Sequence, residues 1–161
     1  MKVKTYFNII ITLVIILFAS CGKSNEKIKN DELLVFSFER YGGDNGLSEN
    51  LEIKADSTYY FISCYELFGT GKPKSYQTTI KTSDKQWNDL TRTFNLETFT
   101  KIKDGPCRAC ADGYDETFSF TEVDTTYSIS NGNADEHFQQ MQAFFDLIFE
   151  QIENFERIAD F

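Results

Sequence analysis

FQQMQAFFDLIFEQIENFERIA, residues 138–159, is the stretch of sequence that decides the fold. Its large apolar residues recur at alternating spacings of three and four, which is the period of an α-helix with one apolar face. The series consists of Phe138, Met141, Phe145, Ile148, Ile152, Phe155 and Ala159, and the stripe is widened by Phe144, Leu147 and Phe149. Such a face predicts a long amphipathic helix that covers a β-sheet; the alternative is that part of it docks a partner.

The chain that precedes this helix carries the patterns of about six strands. Four of them lie at residues 33–41, 51–53, 58–68 and 76–82, and two more flank a turn at Val123 and Asp124. Ser83 and Gln86 have the spacing of a capping box, which predicts a short helix between the fourth and fifth strands. The predicted fold class is therefore α+β. We expect an antiparallel sheet of about six strands, with the short helix and the long C-terminal amphipathic helix packed on one face.

The composition argues against several classes of function. Of 161 residues, 25 are Asp or Glu and 16 are Lys or Arg, which gives a net charge of −9. An acidic surface repels phosphate backbones, so we expect no nucleic-acid partner. The chain has a single histidine, His137, and this leaves little material for general acid–base catalysis. We therefore expect a protein that is not an enzyme and that has no cofactor.

Residues 1–20 have the features of a targeting segment. Lys2 and Lys4 precede an apolar run over residues 9–18, and the run ends in Phe18-Ala19-Ser20-Cys21. This segment resembles the bacterial lipoprotein signal, in which small residues precede an invariant cysteine. The resemblance implies that residues 1–20 are removed and that Cys21 carries the lipid anchor, including palmitate. A permanent membrane helix is the alternative.

The late strand pair and the C-terminal amphipathic helix make most of the chain similar to Bacteroidota lipoproteins of this size, and this similarity implies no particular activity. The residues after Cys21 are polar and charged as far as residue 32, so we expect a lipidated cysteine and polar tether at residues 21–32 and a single α+β domain at residues 33–161. Gly22 follows the cysteine, and no acidic run follows in residues 23–27. In lipoprotein sorting this pattern fits attachment to the outer membrane, and we expect the periplasmic face.

Apart from Cys21, the chain has three cysteines, Cys64, Cys107 and Cys110. In an oxidising compartment these residues allow several arrangements. Cys64 could bridge to Cys107 or Cys110, or a local Cys107–Cys110 disulfide could form and permit redox exchange. The three thiols and His137 could instead hold a metal ion such as zinc, or all three thiols could be inert.

Two acidic segments, residues 112–116 and 131–136, contain oxygen-bearing side chains. Neither has the spacing of an EF-hand, so we expect solvated turns. The leading hypothesis for function is a membrane-anchored envelope lipoprotein that binds another protein, as an inhibitor, an immunity protein or an assembly factor. Its acidic charge would steer it toward a basic partner. The alternative is a module that binds a small ligand or a metal through the cysteines.

Overall fold

The structure is a computed structural model that describes residues 34–44, 46–65 and 73–159. The predictions for residues 1–32, including lipidation at Cys21, lie outside these residues, as does the end of the strand predicted at 58–68. Within the described ranges, no helix is both long enough and apolar enough to span a membrane.

Six antiparallel strands form one sheet in the order β4-β3-β2-β1-β5-β6. The strands are β1 (Leu34–Gly42), β2 (Leu47–Ile53), β3 (Ser57–Tyr65), β4 (Pro73–Lys81), β5 (Tyr114–Glu122) and β6 (Thr125–Ser130). The first four strands form a meander, and the β5–β6 hairpin pairs with the free side of β1. Alternate residues of each strand point to opposite faces, so Leu34, Phe36 and Phe38 of β1 are buried together on one face.

In the part of the chain that the structure describes, four α-helices accompany the sheet: α1 (Asp84–Thr93), α2 (Leu96–Phe99), α3 (Glu136–Gln140) and α4 (Gln142–Ala159). The predicted N-cap of α1 is confirmed, because the Ser83 hydroxyl accepts a hydrogen bond from the backbone amide of Gln86 at 3.2 Å. Helix residues pack on the buried sheet face: the ring of Phe144 lies 5.3 Å from that of Phe36, and the ring of Phe155 stacks on Tyr60 at 4.8 Å. The α+β fold with helices on one face is confirmed.

The C-terminal helix differs from its prediction in one respect. It is divided at Met141, which leaves helical geometry with φ −104° and ψ 15°. In one continuous helix Phe138 and Phe145 would lie about 10 Å apart along the axis. The break instead stacks their rings, with centroids 3.7 Å apart and planes 3° apart. The apolar stripe is buried against the sheet over most of its length, so it serves the core rather than a partner.

Several chain connections meet at one end of the sheet, which we call the loop end. β1 ends there at Gly42 and β2 begins at Leu47, so the β1–β2 turn lies at this end. β5 begins there at Tyr114 and β6 ends at Ser130, so the segments before β5 and after β6 reach the same end. β3 also ends there, at Tyr65. The loop end is therefore the part of the domain where side chains from distant parts of the sequence meet.

Candidate functional site

Three tyrosines at the loop end are the exposed aromatic side chains of the described residues. Tyr41 is 54% exposed, Tyr65 is 56% exposed and Tyr114 is 39% exposed. They lie at the end of β1, the end of β3 and the start of β5. By strand alternation Tyr41 and Tyr65 lie on the sheet face away from the helices, and Tyr114 lies on the helix-covered face. We call these three residues, which surround the loop end from both faces, the tyrosine surface.

The β1–β2 turn lies between two of these rings. A Cβ atom added to Gly43 would lie 2.5 Å from the ring of Tyr114, and one added to Gly46 would lie 2.9 Å from the ring of Tyr65. Both glycines have positive φ angles, +69° and +58°, which L-residues with side chains rarely adopt. The turn therefore requires glycine both for its backbone shape and for close contact with the tyrosine surface.

A buried carboxylate supports this surface from within the loop end. Asp115 is 5% exposed. Its carboxylate accepts hydrogen bonds from the backbone amides of Arg108 (2.6 Å) and Ala109 (3.2 Å), the side-chain amide of Asn131 (2.6 Å) and the hydroxyl of Tyr41 (3.2 Å). The bonds from Arg108 and then Asn131 hold the pKa of Asp115 below its usual value. The hydrogen bond to Asp115 and its negative charge raise the pKa of Tyr41, so Tyr41 stays a neutral donor.

Asn131 links this network to the sheet. It has a left-handed backbone (φ 53°) and is buried. Its Oδ1 accepts from the Glu116 amide at 3.0 Å, and its Nδ2 donates to the Pro106 carbonyl at 3.0 Å. Asp104 accepts from the backbone amide of Ser130 at 2.7 Å, which fixes the same segment to the end of β6. The sequence prediction of solvated turns at 112–116 and 131–136 is therefore wrong for Asp115 and Asn131.

A disulfide joins Cys107 to Cys110. Of the arrangements that the sequence left open, the structure has the local bridge, and Cys64 on β3 is a free, half-buried thiol. Both bridged cysteines are exposed. The backbone amides of Arg108 and Ala109, which hold Asp115, lie inside the four-residue ring that the bridge closes.

The proposed metal ligands do not come together. Among residues 34–44, 46–65 and 73–159, no group of three or more His, Cys, Asp and Glu side chains could hold a metal ion. Two of the four candidates, Cys107 and Cys110, are bonded to each other. His137 lies at the start of α3, where its Nδ1 is 3.0 Å from Oδ1 of Asp135, the residue that caps this helix.

A second buried carboxylate, Glu49, lies on the helix-covered face of β2, and none of the sequence motifs above predicts a role for it. Its side chain is 0% exposed, and its Oε1 accepts a 2.6 Å hydrogen bond from the Tyr60 hydroxyl. Its Oε2 lies 3.2 Å from Arg40 Nη1 without the geometry of a hydrogen bond. Arg40 also pairs with Glu116 at 3.4 Å and with Glu156 at 3.5 Å. Burial raises the pKa of Glu49 more than Tyr60 and Arg40 lower it.

The burial of Glu49 could have been predicted from the sequence, because Glu49 lies two residues before Leu51 and four before Ile53 and therefore on the same face of β2. No such local signal marks Asp115.

The chain matches no protein-family model, and a comparison with curated proteins finds no significant match. What the loop end offers chemically is a set of exposed aromatic rings on a hydrogen-bonded, disulfide-closed base, an arrangement suited to binding.

Proposed function

We propose that this chain is an envelope lipoprotein whose domain binds another protein through the tyrosine surface, in the manner of an inhibitor or an immunity protein. The observation that carries this proposal is the exposure of Tyr41, Tyr65 and Tyr114 at one end of the sheet. Tyrosine is enriched among the residues that dominate binding energy at protein interfaces. It provides a large contact area with only two side-chain torsions to immobilise.

The rigid base beneath the rings supports the same proposal. Binding costs free energy when loops and side chains become ordered, and an ordered surface reduces that cost. The hydroxyl of Tyr41 is tied to Asp115, and the ring of Tyr114 packs on Gly43. These contacts hold the surface in one shape before a partner arrives.

The charge of the chain supports a basic partner. The chain has a net charge of −9, and this excess of carboxylates creates a negative field that accelerates association with a positively charged protein. Salt weakens this long-range attraction. We therefore expect the association rate to fall as ionic strength rises.

A photo-crosslinking experiment tests the surface directly. A photoreactive phenylalanine analogue replaces Tyr65 in one full-length variant and Ile80 in a control variant. Ile80 is 44% exposed on the edge strand β4, so it matches Tyr65 in accessibility but lies away from the tyrosine surface. In whole cells we expect a discrete crosslinked partner only from position 65.

Affinity measurements with that purified partner then show how much each side chain contributes to binding. Tyr65→Ala should weaken binding about tenfold or more, the scale of an interface hot spot, and Ile80→Ala should leave it unchanged. Equal effects of the two substitutions, or crosslinks from position 80 alone, would refute the proposal.

We also propose that the domain is held at the periplasmic face of the outer membrane by lipid on Cys21. The support is the signal-like segment Phe18-Ala19-Ser20-Cys21 and the following Gly22. Several buried acyl chains give stable attachment, since each CH₂ adds about 0.8 kcal/mol. Cys21→Ser should move the protein from the membrane fraction to the soluble fraction, and Cys64→Ser should not. A wild-type chain that is found in the soluble fraction contradicts the anchor.

A further inference from the structure

We propose that the Cys107–Cys110 disulfide is a redox-controlled clasp on the tyrosine surface. Reduction by a dithiol releases the hydrogen-bonded loop that holds Tyr41 and Tyr114, and the sheet stays folded. The structural step stands on the geometry of the loop end. Its consequence, partner release, rests on the function proposed above.

The disulfide ring contains two of the groups that bind Asp115. Two of the groups that donate to this carboxylate are the backbone amides of Arg108 and Ala109. Both residues lie between Cys107 and Cys110, so the ring closed by the disulfide fixes the direction of both amides. Opening the ring returns conformational freedom to this segment, and that freedom opposes the two hydrogen bonds.

Backbone hydrogen bonds connect the disulfide ring to the β1–β2 turn. The Gly113 amide donates to the Arg108 carbonyl at 2.9 Å, and the Gly43 amide donates to the Gly113 carbonyl at 2.9 Å. Gly43 is also in contact with the ring of Tyr114. Two backbone hydrogen bonds therefore connect the disulfide ring to the turn that supports the tyrosine surface.

Reduction also adds a possible hydrogen-bond donor beside Oδ2 of Asp115. Oδ2 of Asp115 accepts the Tyr41 hydroxyl at 3.2 Å, and the Sγ atom of Cys107 lies 3.5 Å from the same oxygen. In the disulfide this sulfur carries no proton. After reduction this sulfur can carry a thiol proton, which the nearby Asp115 charge favours and the Cys110 backbone amide, 3.1 Å from the sulfur, opposes. The new S–H donor then competes with Tyr41 for Oδ2.

A dithiol can reach the bridge and reduce it by thiol–disulfide exchange. A thiolate of the dithiol attacks the exposed bridge and forms a mixed disulfide, and its second thiol then closes the reductant into its own disulfide. The Cys107–Cys110 bond breaks, the protein gains two electrons and two protons, and the dithiol is oxidised. The buried core of the sheet, with Phe38 packed against Phe118 at 5.0 Å, does not include the bridge.

Hydrogen exchange tests the clasp on the full-length chain in detergent. A Cys64→Ser background removes the free thiol of β3, and exchange is recorded with and without dithiothreitol. Reduction should speed exchange of the amides of Arg108, Ala109, Gly113 and Gly43 by about tenfold or more, the scale expected when a short ring opens. Amides of the β1–β5 pairing should keep their protection. The pKa of Asp115, followed by NMR, should rise on reduction.

A Cys107→Ala/Cys110→Ala double variant is the matched control. It should exchange like the reduced protein, and dithiothreitol should have no effect on it. Unchanged exchange at Gly43 and Gly113 after reduction would overturn the clasp, and so would loss of protection throughout the sheet.

Partner binding separates this proposal from the proposed function. If the oxidised protein binds no partner at the tyrosine surface but exchange still changes at Gly43 and Gly113, the proposed function fails and the structural clasp stands. If a partner binds the oxidised and reduced forms equally, its release by reduction is refuted.

Discussion

Asp115 and Glu49 are both buried carboxylates near the loop end, but their pKa values are shifted in opposite directions. Asp115 receives hydrogen bonds from two backbone amides, from Asn131 and from Tyr41, and its pKa is lowered. Glu49 receives one hydrogen bond, and burial raises its pKa. A buried charge is stabilised when enough fixed donors replace the water it loses, and it is penalised when they do not.

The two sites differ because their donors come from different structures. Asp115 faces the start of a short 3-10 helix, Ala109–Ala111, where the backbone amides of Arg108 and Ala109 point at its carboxylate. Glu49 lies inside a sheet, where the backbone amides are already paired with neighbouring strands. A carboxylate at the end of a strand can therefore be held by the backbone amides of the segment that it faces, whereas one further inside the sheet depends on side chains such as Arg40 and Tyr60.

The largest effect is expected from Asp115→Asn. Three donors meet Oδ1, an oxygen that asparagine keeps, and the NH₂ group replaces Oδ2, where the Tyr41 hydroxyl can rotate to accept. The substitution removes the charge. A hydrogen bond to a charged group is worth about 1 kcal/mol more than one to a neutral group, so weakening the three bonds should cost about 3 kcal/mol in the free energy of unfolding. Urea unfolding followed by circular dichroism measures it. A loss under about 1 kcal/mol would show that the network does not hold the loop end.

The sequence predicted the fold well because its signals are local. Alternation marked the strands, and the three-four spacing of Phe145, Ile148 and Ile152 marked the helix and its buried face. The break at Met141 was not predictable in this way. It brings Phe138 onto Phe145, and this contact depends on the shape of the core rather than on helical period.

The candidate site was only partly predictable. The spacing of Cys107 and Cys110 indicates that a local disulfide can form, but it does not exclude a bridge from either residue to Cys64. The burial of Asp115 was not visible, because its partners Tyr41, Arg108 and Asn131 are brought together by the pairing of β1 with β5 and of β5 with β6. Without this pairing an acidic, glycine-containing segment has the composition of an ordinary solvated turn.

A smaller effect is expected from Glu49→Gln. Glutamine keeps an oxygen that can accept from Tyr60, and it removes a charge that burial penalises. Arg40 keeps Glu116 and Glu156 as partners. We therefore expect the free energy of unfolding to change by less than about 1 kcal/mol, in contrast to Asp115→Asn. A loss near 3 kcal/mol would mean that the Arg40–Glu49 pair is needed for stability.

The smallest effect should appear in the pH dependence of stability. Because the pKa of Glu49 is raised in the folded protein, the folded state binds this proton more tightly than the unfolded chain does. Stability should therefore rise as pH falls from neutral through the folded-state pKa, and the gain is complete below about pH 4.3. Asp115 acts in the opposite direction, since its pKa is lowered. Its contribution is fully present above about pH 3.9 and is lost as pH falls through the lowered value.

Urea unfolding of the wild type and both variants between pH 3 and pH 8 separates these contributions. Glu49→Gln should abolish the rise in stability below neutral pH and keep the fall at low pH. Asp115→Asn should keep the rise and remove part of the fall; Asp135, whose pKa is also lowered, accounts for some of the remainder. If Glu49→Gln left the profile unchanged, Glu49 would be ionised at no cost in the folded protein. Tyr60 and Arg40 would then compensate fully for the water that Glu49 loses on burial.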